Sequence, residues 1–230
     1  MDEQVFERAE EFARRLFEGD SGGHDIYHTL RVCAVATAIC REEGGDTDVV
    51  RLSALLHDVD DPKLFGGEGL PNARRFMESE GIPGETVEEV CGIVSSISFK
   101  GTGRDVPASL EGRIVQDADR LDAIGAIGVA RAFAYGGSKG RAMHIPGRGP
   151  RELLSESEYR SAEGTTVNHF HEKLLKLKGL MNTESAKRMA EARHRYMEGF
   201  LEEFMAEWDG LRQVRCQCYT IYVELLRKSN

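Results

Sequence analysis

Apolar residues recur three and four positions apart through most of this chain, and the strict apolar–polar alternation typical of strands is nearly absent. In the first segment the apolar residues fall on one stripe of a helix, with glutamates and arginines elsewhere. These apolar residues are Val5, Phe6, Ala9, Phe12, Ala13, Leu16 and Phe17. The sequence therefore predicts an all-α fold.

Glycine- and proline-containing turns divide this pattern into separate helices. We predict helices at residues 2–18, 24–43, 46–62, 72–79, 84–98, 110–133, 166–180 and 183–208. A chain of 230 residues can bury a sizeable core. We expect one helical domain over residues 1–210, followed by an extra C-terminal segment at 211–230.

Composition narrows the class of protein. A hydrophobic content of 40% is typical of a globular protein. No stretch approaches the roughly 18 consecutive apolar residues that a membrane span needs. The acidic N-terminus does not resemble a signal peptide, and five scattered cysteines suggest reduced thiols, so we expect a cytoplasmic protein. A net charge of -9 does not indicate the basic surface that binds duplex nucleic acid. A local basic pocket can still bind one small phosphorylated molecule. A monomer and a homodimer are both compatible with the sequence.

The stretch Ala54–Lys63 concentrates chemistry behind an apolar run. It presents His57, Asp58 and Asp61 after the apolar residues Leu52, Leu55 and Leu56. Imidazole and carboxylate together bind divalent cations, and burying them requires a metal ion or a salt bridge as partner. Either partner has to be completed by residues from elsewhere in the chain.

A second acidic patch lies in the predicted helix 110–133. Asp119 and Asp122 are three apart and share a face, whereas Asp117 is rotated by about 200° from Asp119. Upstream, His24 and His28 lie one helical turn apart, so both imidazoles can face the same cavity.

The order His28, His57-Asp58, Asp119 resembles the HD-domain metal-dependent phosphohydrolase superfamily. The resemblance is carried by three stretches: His28-Thr29-Leu30-Arg31-Val32, Leu55-Leu56-His57-Asp58-Val59 and Ala118-Asp119-Arg120-Leu121. Together with the 61–63 extension and the stretches 172–175 and 192–194, it covers the chain to about residue 210. These added features are similar to the small bacterial single-domain branch that includes the YpgQ-type nucleotide pyrophosphohydrolases. The resemblance implies a single helical HD-domain bundle.

The resemblance also implies one divalent metal ion, manganese, magnesium or a similar ion, held by His28, His57, Asp58 and Asp119. Taken singly, each histidine can be read as a hydrogen-bonded core residue, and the joint pattern favours ligation. Asp119 has a competing interpretation as a salt-bridge partner of Arg31 or Arg120. The other acids of the patch also have alternatives: Asp122 as a supporting or structural acid, and Asp117 as the alternative ligand.

Three further residues are candidates for catalytic roles. Asp61 is a candidate general base or a surface acid that ends a helix, since Pro62 follows it. Lys63 is a candidate phosphate contact or a solvated lysine, and His24 a candidate for substrate contact or for proton donation to the leaving group. The basic, glycine-rich residues 135–151 are either a lid over an anionic ligand or a plain surface loop.

The expected activity is hydrolysis of a nucleotide. The leading hypothesis is that a nucleoside or deoxynucleoside triphosphate is cleaved to monophosphate and pyrophosphate. Alternatives are a phosphomonoesterase acting on nucleotides, a non-catalytic metal or nucleotide sensor, and a di-iron oxygenase, which would need additional ligands.

Overall fold

The computed structural model describes residues 1–18, 25–61, 65, 69–97, 106–151 and 164–210. Every regular element in those ranges is helical, which confirms the predicted all-α class. In chain order the elements are α1 Glu3–Leu16, α2 Ile26–Glu43, α3 Thr47–Leu56, α4 Pro71–Ser79, α5 Gly84–Ile97, α6 Leu110–Asp122, α7 Gly125–Ser138, α8 Thr166–Glu172, a 3-10 helix Leu174–Leu180, and α9 Glu184–Trp208.

Three central helices, α2, α3 and α6, pack against one another and form the middle of the bundle. Their facing side chains are apolar and fully enclosed, as Val32, Leu52 and Ala118 show. Close packing of this kind fixes the relative positions of the helix ends. The polar residues at those ends are therefore held on a rigid frame.

The outer helices cover this frame from two sides. Helices α1 and α5 pack against α3, and α5 also contacts α6. Helix α9 packs against α7, α6 and α2. The two residues before α9 are held by Asp117 of α6, whose carboxylate accepts hydrogen bonds from the backbone N–H of Asn182 at 2.8 Å and of Thr183, the N-cap, at 2.7 Å.

The structure corrects the prediction of one continuous helix at 110–133. Helix α6 ends at Asp122, and α7 begins at Gly125 with a positive φ of 77°. That backbone conformation favours glycine, because an L side chain would be strained there. The break redirects the chain immediately after the second acidic patch.

Three other predicted boundaries also change. The segment 166–180 is α8 followed by a 3-10 helix, and α3 ends at Leu56 rather than near residue 62. The irregular segment predicted to start at Tyr135 starts later, because α7 continues to Ser138. Gly136 packs closely here, since an added Cβ would lie 2.4 Å from Thr166 Oγ1.

None of the helices in the described ranges is long and apolar enough to cross a lipid bilayer. His24, Lys63 and the C-terminal segment 211–230 lie outside the described residues.

Candidate metal centre

Two helix ends bring two imidazoles together. His28 lies in the first turn of α2, where the side chain of Asp25 caps the helix and accepts a hydrogen bond from the His28 backbone N–H at 2.7 Å. His57 directly follows the last residue of α3. Their Nε2 atoms are 3.3 Å apart.

The other ring nitrogen of each histidine has an acceptor as its partner. His57 Nδ1 lies 2.8 Å from the carbonyl oxygen of Ala54, and His28 Nδ1 lies 2.7 Å from Asp122 Oδ2. A carbonyl or carboxylate oxygen can only accept, so Nδ1 carries the proton in both rings. In its neutral form, each ring therefore directs its Nε2 lone pair at the same point.

Two carboxylates complete the cluster. Asp58 Oδ2 lies 3.3 Å from His57 Nε2 and 3.6 Å from His28 Nε2. Asp119 Oδ1 lies 3.4 Å from His28 Nε2, and the donor atoms of His28, His57 and Asp119 all lie within 4.8 Å of one another. The arrangement brings together all four residues predicted as ligands.

The cluster is closed on its imidazole side and open at one acid. The side chains of His28 and His57 are 5% and 4% exposed, whereas that of Asp119 is 39% exposed. A small ligand can therefore approach the cluster from the Asp119 side, while the histidines remain enclosed by the core.

The charges in the cluster are strongly coupled. Burial lowers the pKa of His57, but the charges of Asp58 and Asp119 outweigh burial and raise this pKa to about 9. Burial likewise opposes a raised pKa of His28, yet hydrogen bonds to Asp119 and Asp122 prevail and raise it. Burial alone would raise the pKa of Asp119, and the neighbouring His28 instead lowers it. The raised pKa values of the two histidines and the lowered pKa of Asp119 have one cause: the carboxylates stabilise positive charge in the cluster.

The donor set fits a divalent cation. Two neutral imidazole nitrogens and carboxylate oxygens are the ligands that zinc, manganese and similar ions take from proteins. His28, His57 and Asp119 can hold such an ion, and Asp58 lies within the same cluster.

Of the three predicted catalytic residues, Asp61, Lys63 and His24, only Asp61 lies in the part of the chain that the structure describes. Asp61 is half-buried and lies past the turns that follow α3, with its backbone N–H donating to the Asp58 carbonyl oxygen at 3.1 Å. Continuation of α3 does not bring it to the cluster, because the helix ends at Leu56. Lys63 and His24 lie outside the described residues.

The other two acids of the patch, Asp117 and Asp122, lie in different surroundings. Asp117 is fully buried and faces the start of α9, away from the imidazoles. Asp122 accepts hydrogen bonds from His28 and from Arg31, whose Nε lies 2.7 Å from Asp122 Oδ1. Of the two arginines proposed as competing partners of Asp119, Arg31 pairs with Asp122, and Arg120 donates to the carbonyl oxygen of Leu180.

Sequence reasoning missed Arg131, which lies on α7 and donates from Nη1 to Asp122 Oδ2 at 2.5 Å. A signal was present in the sequence. Arg131 is the only charged residue between Ala123 and Ala134. A lone charge in an apolar helix needs a buried partner, and the acidic patch just upstream was the nearest candidate.

The basic segment after α7 is fastened to α8. Arg151 Nε donates to Glu172 Oε1 at 3.0 Å, and the Asn168 side chain donates to the carbonyl oxygens of Arg148 and Gly149 at 3.0 and 2.9 Å. These contacts give the segment 139–151 defined anchors at its C-terminal end.

The comparisons with known proteins identify the class. Residues 25–124 match the family model of the HD domain. This range contains all four proposed ligands, His28, His57, Asp58 and Asp119. The structure of an HD-superfamily hydrolase from Bacillus thuringiensis is similar, with a TM-score of 0.73 and 42% identity over 90% of this chain and 97% of that one. The chain belongs to the HD-domain family of metal-dependent hydrolases.

Within that family, the chain is similar to a protein of Bacillus subtilis. The uncharacterised protein YpgQ of that organism is 34% identical over 215 residues, which span 89% of this chain and 94% of YpgQ. The crystal structure of YpgQ in complex with ADP has a TM-score of 0.69, with 31% identity over 90% of this chain and 100% of that one. The small single-domain branch inferred from the motifs is confirmed.

Proposed function

We propose that this protein hydrolyses a phosphoanhydride bond of a nucleotide with one divalent metal ion, manganese, magnesium or a similar one, held by His28, His57, Asp58 and Asp119. The observation that carries the proposal is the convergence of two Nε2 lone pairs and two carboxylates within one partly open cluster. Four ligands leave room for water and for a phosphoryl oxygen, as hydrolysis requires.

The preferred substrate is a nucleoside or deoxynucleoside triphosphate, cleaved to monophosphate and pyrophosphate. The ADP bound by YpgQ supports a phosphorylated nucleotide as ligand. The chain carries a net charge of -9, so an anionic substrate depends on local positive charge at the site. A bound divalent cation supplies Lewis acidity, lowers the pKa of water and offsets charge on a phosphoryl oxygen.

The side chains of this protein divide the remaining work. The enclosed histidines and Asp58 hold their positions through the core, and Asp119 faces the open side of the cluster. Asp61 acts as the general base that takes a proton from the attacking water. Lys63 contacts a phosphate oxygen, and His24 contacts the substrate or donates a proton to the leaving group.

A nucleotide panel with manganese and with magnesium tests the activity. In water labelled with ¹⁸O, attack at the α-phosphorus places the label in the monophosphate and releases unlabelled pyrophosphate, which ³¹P NMR resolves. Labelled orthophosphate together with a nucleoside diphosphate would instead indicate attack at the terminal phosphorus. Hydrolysis of monophosphates alone would replace the proposal with a nucleotidase.

The His57→Ala variant is the matched control for contamination. Removing one Nε2 ligand lowers metal affinity and should abolish turnover, whereas a contaminating phosphatase would survive. If the pure protein binds metal and nucleotide without turning any over, the protein is a sensor and the proposed hydrolysis is wrong.

A further inference from the structure

Asp122 joins three helices directly behind the metal cluster. Its carboxylate is buried, with a side-chain exposure of 4%, and lies at the C-terminal end of α6. Oδ2 faces His28 Nδ1 at 2.7 Å, while Arg31 of α2 and Arg131 of α7 donate to the same carboxylate. Its ion pairs run to His28, Arg31 and Arg131.

The contact with His28 determines which nitrogen faces the cluster. A carboxylate accepts from Nδ1–H, and this leaves the Nε2 lone pair directed at His57 and Asp119. Without an acceptor behind it, the ring can hold its proton on either nitrogen and can turn about its side-chain bonds. The buried carboxylate removes both freedoms.

The two arginines hold the carboxylate in place. Arg31 donates through Nε to Oδ1 at 2.7 Å and through Nη2 to Oδ2 at 3.0 Å, which is a two-point contact of fixed geometry. Arg131 Nη1 donates to Oδ2 from α7 at 2.5 Å and lies 3.2 Å from His28 Nδ1, so the guanidinium and the ring share Oδ2 as their acceptor. Both carboxylate oxygens therefore accept hydrogen bonds from arginine side chains, and Oδ2 also faces His28 Nδ1.

We propose that Asp122 is a positioning residue that, held by Arg31 and Arg131, fixes the His28 ring and its tautomer for metal binding. The metal-affinity part of this inference rests on the proposed function. The tautomer part concerns the metal-free protein and stands independently of it. Asp122 does not touch the cation or the substrate and acts only through His28.

The test compares Asp122→Asn with Glu172→Gln. Glu172 is a matched control, because it is also a buried carboxylate, with a side-chain exposure of 3%, and is also paired with an arginine. Manganese affinity is measured by calorimetric titration on folded protein. Outer partners of a metal-bound histidine typically change affinity by roughly 10- to 100-fold, so we expect a loss of that order for Asp122→Asn and no change for Glu172→Gln.

A spectroscopic measurement separates positioning from general stability. Long-range ¹⁵N–¹H NMR of the metal-free protein, at alkaline pH where the ring is neutral, reports which nitrogen of His28 carries the proton. Wild-type protein and the Glu172→Gln variant should show Nδ1–H alone, and Asp122→Asn should show both tautomers. Asp122→Glu should restore part of the wild-type signal.

Arg131→Gln provides a second variant if Asp122→Asn fails to fold. Its side chain is 35% exposed, so its replacement disturbs the core less. It should weaken manganese binding several-fold and broaden the His28 signals. If these variants keep wild-type affinity and a single tautomer, the inference is wrong while the proposed hydrolysis stands. If wild-type protein binds no divalent cation, the proposed function fails, and the NMR comparison still decides the role of Asp122.

Discussion

Asp117 and Asp119 lie two positions apart on α6, yet their carboxylates act on opposite sides of the helix. Asp117 Oδ2 lies 2.7 Å from the backbone nitrogen of Thr183, whereas Asp119 Oδ1 lies 3.4 Å from His28 Nε2. Two residues rotate a helix by about 200°, which accounts for the separation. One turn of α6 therefore fastens the start of α9 and also supplies a proposed metal ligand.

We expect Asp117→Asn to lower stability without changing metal affinity. The carboxylate is fully buried and accepts hydrogen bonds from two backbone N–H groups and the Thr183 hydroxyl, which an amide cannot all replace. The free energy of unfolding should fall by about 1–3 kcal/mol. Urea unfolding and manganese titration of the folded variant measure the two quantities.

Asp119→Asn is the matched variant for this prediction. Its side chain is 39% exposed and lies in the cluster, so it should lose metal affinity with little loss of stability. If Asp117→Asn weakened metal binding as much as Asp119→Asn does, Asp117 would belong to the metal site after all.

Features that depend on the geometry of a single helix could be predicted from the sequence. The opposite directions of Asp117 and Asp119, and the shared face of Asp119 and Asp122, follow from 3.6 residues per turn. The meeting of His28 with His57 does not follow from any local rule, because it joins the start of α2 to the end of α3. That convergence was available only through the family resemblance.

Features that depend on contacts between helices were not predictable from the sequence. The choice of Asp122 over Asp119 as the partner of Arg31 depends on how α2 and α6 cross. Gly136 falls in the segment predicted to be irregular from Tyr135 onward, but it allows α7 to pack closely on Thr166. The helix break at Gly125 was hidden because several small residues follow it in a helix-compatible pattern.

Gly125 and Gly137 are expected to respond oppositely to replacement by alanine. At Gly125, φ is 77° and an added Cβ would lie 2.9 Å from the Arg193 Cγ atom. The backbone strain alone costs roughly 1–2 kcal/mol. At Gly137, within α7, nothing lies within 4 Å of an added Cβ, and alanine should stabilise the helix by roughly 0.5–1 kcal/mol. Urea denaturation of the two variants measures the difference, and equal effects would contradict it.

Metal binding should release protons at neutral pH. The pKa of His57 is about 9 in the metal-free cluster, because Asp58 and Asp119 outweigh the effect of burial. A cation needs the Nε2 lone pair, so it must displace the proton that the ring holds below this pH. Affinity should therefore fall as pH drops below 9 and level off above it.

Calorimetry in two buffers with different ionisation enthalpies measures the released protons. We expect about one or more protons per bound ion at pH 7 and none well above the pKa of His57. Metal affinity that is independent of pH between 7 and 9 would show that the imidazoles are already neutral in the metal-free protein.

Asp61→Asn should keep the metal ion and lose most turnover. Asp61 follows the proposed ligand Asp58 by three positions, and its backbone N–H donates to the Asp58 carbonyl oxygen at 3.1 Å. Loss of a general base typically lowers the rate by roughly 10²- to 10⁴-fold. We expect this loss in kcat with an unchanged manganese dissociation constant. Asp209→Asn, an exposed carboxylate at the end of α9, controls for the loss of one negative charge. A parallel loss of metal affinity would make Asp61 a ligand. Unchanged turnover would make it a surface acid, and the general base would then have to be another residue around the open side of the cluster.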